Sequence, residues 1–418
     1  MARLVMKFGG TSVADLERIR RVARLVAAQI AAGNQVAVVV SAMAGKTNEL
    51  VAWTDGAGAA APGIPASDDE YDVVVASGEQ VSAGLLAMTL RNMGHYAKSF
   101  LAWQIPVLTD DAHGRARIED VLPQKLQAAM DAGQIPIVAG FQGIDAEGRL
   151  STLGRGAGDL SAVAVAAALK ADFCNIYTDV DGVYTTDPRI EAKARRLERI
   201  SYEEMLEMAS LGAKVLQSRS VELAMAQRVP LRVLSSFIEP GEGETGAIGT
   251  IVCDEEEIVE KRIVSGVAYS RDEAKISLFG LPDHPGVSSE IFGRLADANV
   301  NVDMIVQSHA RTEGAANMEF TVGKRDAARA LEIMRAAQAA IGFQDIAVDE
   351  DVAKVSVIGV GMRSHAGVAK TMFKALADKG VNIQVISTSE IKISVLIEAA
   401  YTELAVRALH AAYGLDQL

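Results

Sequence analysis

Lys7-Phe8-Gly9-Gly10-Thr11-Ser12 places a cation, two glycines and two hydroxyls between an apolar stretch, Leu4 to Met6, and an amphipathic pattern from Asp15 to Ala32. Leu16, Ile19, Val22, Val26 and Ile30 recur on one face of that pattern, which predicts a helix. Unobstructed backbone N–H groups, the positive end of a helix dipole and a fixed ammonium all suit an anion. The same residues also fit a plain turn closed by a capping box, with Ser12 as cap and Asp15 reaching back.

Four further segments carry groups that could do chemistry. Ser41 to Leu50 reads SAMAGKTNEL, but a P-loop needs glycine five residues before Gly45, and Val40 stands there. A strand ending at Ser41 before a small-residue loop still offers N–H groups to an anion. Ser77-Gly78-Glu79 follows an expected strand end, Val73 to Val75, and opens a helix, where a carboxylate suits the dipole. Phe141-Gln142-Gly143 follows another strand. Gly154-Arg155-Gly156-Ala157-Gly158-Asp159 precedes a small-residue helix, Leu160 to Ala168. Arg155 could bind a carboxylate bidentately and Asp159 an ammonium, which together suit a zwitterion; a structural ion pair is the other reading. Thr178 to Arg189, TDVDGVYTTDPR, begins like a calcium loop, but Ile190 replaces the closing glutamate. Its carboxylates, hydroxyls, Tyr184 and Arg189 could instead hold ribose and phosphates.

A formal charge of −13 and pI near 5.1 leave no basic face for nucleic acid. Cys174 and Cys253 form neither a disulfide framework nor a zinc spacing. No nucleophile elbow or His/Cys cluster supports hydrolysis. No signal-peptide pattern and no run of 18 apolar residues is seen, so a cytoplasmic protein with no membrane partner is expected.

These groups need a scaffold, and 418 residues, half of them hydrophobic, suffice for two or three domains. Apolar runs at Val36 to Val40, Pro136 to Ala139, Phe173 to Tyr177 and Leu231 to Leu234 alternate with helical patterns. Those patterns lie near Gln80 to Asn92, Ile118 to Ala132, Ala157 to Ala171 and Val215 to Gln227. The alternation predicts a parallel-rich α/β sandwich, with ligands at the strand carboxyl ends. Gly56 to Asp69 reads as a surface loop, and a domain boundary falls near residues 250–265. Beyond it, the segment from Lys275 repeats from Ser356 at a constant offset of 81 residues. Gly280, His284, Gly286, Phe292, Leu295 and Asn301 pair with Gly361, His365, Gly367, Phe373, Leu376 and Asn382. Each copy reads strand, turn, helix, strand, and later strands and helices extend both to βαββαβ, the ferredoxin-like order.

In their order, KFGGTS, SAMAGKTNEL, SGE, GFQG, GRGAGD, TDVDGVYTTDPR and SYEEMLEMASLGAKVLQSRSVELA, closed by the two repeats, resemble the aspartate kinase family over essentially the whole chain. The resemblance implies an amino-acid-kinase αβα sandwich over residues 1–250, a linker over 251–265, and ferredoxin-like ACT domains over 266–348 and 349–418. It implies ATP- and Mg2+-dependent phosphorylation of the L-aspartate β-carboxylate, the shorter monofunctional kind of enzyme, and joint inhibition by lysine and threonine. A homodimer or α2β2 assembly through the ACT domains goes with it.

By the same resemblance Lys7, Arg155 and Asp159 are catalytic, and Thr47, Glu79 and Arg155 hold aspartate. Lys7, Gly9, Gly10, Ser41, Thr178, Asp179, Tyr184, Arg189 and Lys214 line the ATP site; no residue is assigned to a metal. Effector candidates are Asp283, His284, Gly286, Val287, Asn301, Asp303 and Gln307 in the first repeat. Ser364, His365, Val368, Asn382, Ile383, Ser389 and Glu390 are their counterparts in the second. The family usually reads GRGGSDTTA where this chain reads GRGAGDLSA, so Ala157, Gly158 and Leu160 are departures, of which Gly158, lacking a hydroxyl, and Leu160, adding bulk, are expected to weaken substrate or phosphate contacts. Two rivals stay open: a kinase for another amino acid or small acid, and a sensor that has lost turnover.

Overall fold

Side-chain alternation along the strand Arg3–Phe8 divides the first core. Met6 and Phe8 point to one face, where the helices Leu16–Ala31 and Ser77–Asn92 bury Ile19, Val22, Val26, Leu86 and Leu90 against them. Val5 and Lys7 therefore point to the other face, covered by the helix Gly158–Leu169. The computed structural model describes residues 1–58, 64, 67–154, 156–212, 215–238, 249–258, 262–309 and 314–417. They fall into two compact units.

The first unit holds an eight-stranded sheet in the order Arg199–Ser201, Thr250–Cys253, Leu231–Ser235, Phe173–Thr178, Arg3–Phe8, Gln35–Val40, Ile135–Ala139, Ala97–Phe100. Its described neighbours are parallel except Leu231–Ser235 against Thr250–Cys253. The valine-rich strand Gln35–Val40 suits a sheet covered on both faces. A smaller sheet runs Ile118–Val121, Val107–Thr109, Gln142–Ile144, Leu150–Thr152.

Several sequence expectations are corrected in this unit. The first helix begins at Leu16, capped by Asp15, whose Oδ1 accepts from Arg18 N at 2.8 Å, so Gly9 and Gly10 lie more than a turn ahead of it. Ser12 is no cap; its hydroxyl donates to Ser236 Oγ at 2.8 Å, and Leu16 is exposed. Val73 to Val75 end a helix, Asp68–Val75, rather than a strand. Three valines are too few to set a period, and Asp68, Asp69 and Glu70 suit a helix's first turn. Ile118–Val121 is a strand, and the helix Gln124–Asp131 starts only after Pro123, which has no N–H to give. Half of Gly56 to Asp69 lies outside the described residues, and helices enter it from both ends. The stretch Asp68–Asn92 is long and apolar enough to cross a membrane, contrary to expectation, and half of the 18 residues that meet this test are buried in this unit.

The second unit is built on one antiparallel sheet, Val302–His309, Ala315–Val322, Gly266–Pro282, Asp345–Ile358, Lys392–Glu398, Val385–Thr388. The first repeat's helices, Val287–Asp297 and Lys324–Ile341, close one core over it. Val368–Ala377 and Thr402–Ala412 close the other. Gly286 and Gly367, at φ +104° and +101°, sit immediately before matched helix starts, where the chain turns through the left-handed region. The two long strands serve both repeats. Lys275 to Phe279 pair with Asp345 to Asp349 in the first, and Gly266 to Ser270 pair with Lys354 to Ile358 in the second. The second repeat's last strand is thus supplied from ahead of the first, not from after Thr402–Ala412 as the βαββαβ expectation had it.

Candidate active site

Lys7 reaches the covered face of the sheet at the carboxyl end of its strand, and its Nζ lies 2.5 Å from Asp159 Oδ1. Both side chains are almost buried, so each neutralises a charge that would otherwise be costly there. A Cβ built on Gly158 would stand 2.6 Å from Ser41 Oγ and 3.3 Å from Lys7 Cε, and one on Gly9 would stand 3.3 Å from Lys7 Nζ. Lys7, Gly9, Ser41, Gly158 and Asp159 therefore converge at the carboxyl ends of Arg3–Phe8 and Gln35–Val40. The sheet order reverses around these strands, the usual place for a ligand in an open α/β sheet. Gly10 belongs to the same packing: a Cβ there would meet Ala42 O at 2.9 Å.

Glu79 adjoins this cluster through Ala42, whose N–H donates to Glu79 Oε1 at 3.0 Å. Its other oxygen, Oε2, is buried with no partner among the described residues. Burial pushes the carboxyl up to about 7, against the opposing pull of the backbone hydrogen bonds from Ala42 and its own residue. Glu79 stands at the break between Asp68–Val75 and Ser77–Asn92, where a Cβ on Gly78 would meet Ala42 Cβ at 2.8 Å. Thr47 is half-buried in the first turn of the helix Lys46–Ala57.

The strand Leu150–Thr152 leads into the glycine loop. Arg155 lies outside the described residues, as does Lys214. Gly154 and Gly156, at φ +86° and +80°, adopt a conformation open mainly to glycine. Of the three departures from the family pattern, Ala157 and Leu160 are buried with Val75, Ala116, Phe141 and Leu153. Leu160 thus adds bulk to a core rather than to the cleft. Only Gly158 faces the Lys7 cluster.

Thr178 ends the strand Phe173–Thr178; its hydroxyl donates to Asp179 Oδ1 at 3.1 Å and its carbonyl accepts from Ser236 N at 2.9 Å. Tyr184 and Arg189 fall in a different place, because Tyr184–Arg195 belongs to the second compact unit. Arg189 Nη2 lies 2.8 Å from Asp187 Oδ2, and this pairing holds the Asp187 carboxyl below its usual range. Tyr269 Oη donates to the same oxygen at 3.1 Å, and buried His410 meets Thr185 Oγ1 at 2.9 Å.

In the first repeat the expected effector residues bring turn and strand together. Ser288 Oγ, beside Gly286 and Val287, lies 3.5 Å from Gln307 Oε1, and His309 Nδ1 lies 3.3 Å from Asp283 Oδ2. His284 Nδ1 approaches Pro285 O at 3.1 Å, and Asn301 is exposed. Asp303 is committed elsewhere: Lys354 Nζ contacts its Oδ2 at 2.5 Å and Glu273 Oε1 at 2.8 Å. In the second repeat, His365 Nδ1 lies 2.8 Å from Gly361 O and 3.2 Å from Ser364 Oγ, and Val368 opens the helix. Glu390, next to Ser389, meets Arg363 Nε at 3.4 Å. Asn382 is exposed and Ile383 half-buried. A cavity of about 870 Å³ in this unit is lined by Arg262, His365, Val368, Lys374 and Tyr413, among others.

An ammonium, a serine hydroxyl, bare glycine backbone and a half-satisfied carboxylate at strand ends suit a phosphate beside an amine-bearing acid. Sequence reasoning missed Ala42, whose N–H orients Glu79, and Asp72, which ties down the strand before Arg155. Asp72 carried no signal, sitting in an acidic run that reads as a solvated face.

Residues 2–235 match the Amino acid kinase family, and residues 276–339 and 355–413 each match an ACT domain. An aspartate kinase of Stutzerimonas stutzeri is 52% identical over 416 residues, covering 100% of this chain and 98% of that protein. An aspartokinase of Pseudomonas aeruginosa is 53% identical over 418 residues, with the same coverage. Among solved structures, E. coli aspartokinase III with aspartate and ADP, in its R-state, superposes with TM-score 0.79 at 29% identity, covering 98% of this chain and 99% of that one. The same enzyme with lysine and aspartate, in its T-state, gives 0.76 at the same identity and coverage.

Proposed function

The chain belongs to the aspartate kinase family, and on that premise we propose that it transfers the γ-phosphoryl group of MgATP to the β-carboxylate of L-aspartate, giving ADP and 4-phospho-L-aspartate. The observation that carries this reading is the Lys7–Asp159 pair beside Ser41, one residue contact away from the half-satisfied Glu79. A β-carboxylate oxygen attacks the γ-phosphorus as the bond to the ADP oxygen breaks. That carboxylate is ionised at pH 7, so no general base is required. Catalysis then consists of bringing two anions together and neutralising them.

Lys7 lies against the transferring phosphoryl group, with Gly9 and Gly10 amides and the Ser41 hydroxyl beside it. Asp159 orients Lys7 and limits the cost of burying its charge. Glu79 takes the aspartate ammonium on Oε2, while Arg155 and Thr47 hold the carboxylates. Thr178 and Asp179, with Lys214, serve the nucleotide. Among the described residues no three His, Cys, Asp or Glu side chains converge on one point. Mg2+ would enter with the nucleotide phosphates and supply charge neutralisation there.

The product places the enzyme at the entry to lysine, threonine, methionine and diaminopimelate synthesis in the cytoplasm. The paired ACT domains are the receiver of feedback, by lysine and threonine together, in a homodimer or α2β2 assembly. The lysine bound to the E. coli enzyme supports the effector class. The deciding experiment is an aspartate-dependent hydroxamate assay with MgATP, run alone, with lysine, with threonine and with both. Turnover suppressed mainly by the pair supports the whole reading. No turnover from folded, ATP-binding protein supports a sensor instead.

A further inference from the structure

Asp72 is fully buried on the helix Asp68–Val75, and every hydrogen bond described for its carboxylate comes from two segments, His113-Gly114 and Thr152, the latter leading into the glycine loop. Thr152 donates to it twice, through N–H at 2.9 Å and through its hydroxyl. Gly114 N donates to both oxygens at 3.0 Å, and His113 Nδ1 lies at 2.8 Å. His113 is itself flanked by Asp145, whose Oδ2 lies 3.5 Å from Nε2. The two segments so gathered are also tied to each other, Ala116 N donating to Thr152 O at 2.8 Å. From the helix Ser218–Gln227, Arg219 donates to Leu153 O at 2.7 Å and Ala116 O at 3.2 Å. On the far side, Ser161 N and Oγ fix Ala157 O at the start of the next helix.

A buried carboxylate is costly unless its oxygens are satisfied, and the neighbouring packing is apolar, with Val75, Ala116 and Leu153 in one cluster. An apolar side chain at 72 would fill the space but could not orient backbone N–H groups. What the carboxylate adds is direction: it holds Thr152 while Arg219 holds Leu153, so the chain is fixed two residues before Arg155.

We propose that Asp72 is a positioning residue for aspartate binding: by clamping Thr152 and Gly114 it sets where the Arg155 loop leaves the sheet. The inference rests on the reading of Arg155 as a ligand of the aspartate carboxylates. A loop held in advance loses less freedom on binding, and a displacement of an ångström at such a group costs orders of magnitude.

The test measures KM for aspartate, KM for MgATP, kcat and Tm in Asp72→Asn, Thr152→Val, Thr152→Ser and Arg155→Lys. Asp72→Asn and Thr152→Val raise the aspartate KM about tenfold or more, leave the MgATP KM within about twofold, and Thr152→Ser restores the parent value. A folded Asp72→Asn and Thr152→Val with unchanged aspartate KM, or with both KM values rising together, overturns the positioning role. Should Asp72→Asn fail to fold, Thr152→Val and Thr152→Ser decide alone. An Arg155→Lys enzyme with unchanged aspartate KM overturns the underlying reading instead, whatever Asp72 does.

Discussion

Lys7 and Asp159, 152 positions apart in the chain, meet at 2.5 Å because one ends a central strand on the covered face and the other opens the helix that covers it. Removing either charge leaves the other buried and alone. Asp159→Asn is expected to lower kcat at least about a hundredfold, by freeing Lys7 from its place, and to cost about 3 kcal/mol of stability. Hydroxamate turnover and a denaturant titration on the same preparation check both. Full activity would detach the pair from the reaction.

Glu79 predicts a pH dependence with a definite sign. Its carboxyl is raised by burial to about 7, and only its ionised form attracts an ammonium. The aspartate KM therefore falls as pH rises from 6 to 8, and in Glu79→Gln it becomes high and flat across that range. Stability runs the opposite way. The folded chain keeps a proton that the unfolded chain loses between pH 4.5 and about 7, so ionisation of Glu79 disfavours folding as pH rises through that window. Glu79→Gln is expected to raise Tm at pH 8 and to change it little at pH 4.5. A Tm loss at pH 8 would contradict the assignment.

Gly10 is held small by contact rather than by backbone angle, since a Cβ would stand 2.9 Å from the Ala42 carbonyl. Gly10→Ala must push the loop that follows the Lys7 strand away from the loop that carries Ser41. Its kcat/KM for MgATP is expected to fall about tenfold or more, whereas Gly84→Ala, where nothing crowds the added methyl, leaves it unchanged.

Lys354 is buried between Glu273 and Asp303 on three strands of the second unit. Although partial burial pushes the Asp303 carboxyl up, the Lys354 ammonium holds it below its usual range. Lys354→Met strands Glu273 in the sheet without a counter-ion. A loss of about 3 kcal/mol or more in chemical denaturation is expected, and Lys354→Arg is expected to recover part of it. A neutral outcome for Lys354→Met would contradict a stabilising role for the pairing.

Patterns local in the chain were legible without coordinates. Four buried strands of the first unit show as apolar runs. The 81-residue offset already placed Gly286 and Gly367 before matched helices. What escaped was contact between distant segments: the Lys7–Asp159 pairing, the Ala42 N–H on Glu79 and the Asp72 clamp all join residues 37 or more positions apart. Local competition defeated other readings. Val73 to Val75 look like a strand until the burial of Asp72 and Val75 on one helix face is known. Tyr184 and Arg189 follow Thr178 closely enough to read as one loop, yet the chain passes into the second compact unit at Tyr184.

The exchange of Gly266 to Ser270 into the sheet of the second repeat makes the two ACT modules topologically inseparable. Neither can be excised at a cut between them without losing a strand, so a fragment beginning near residue 349 would expose an unpaired sheet edge. Heating should melt both modules in one cooperative transition. During synthesis the donated strand emerges about 90 residues before the partner that completes it, which makes closing the sheet a slow, late folding event.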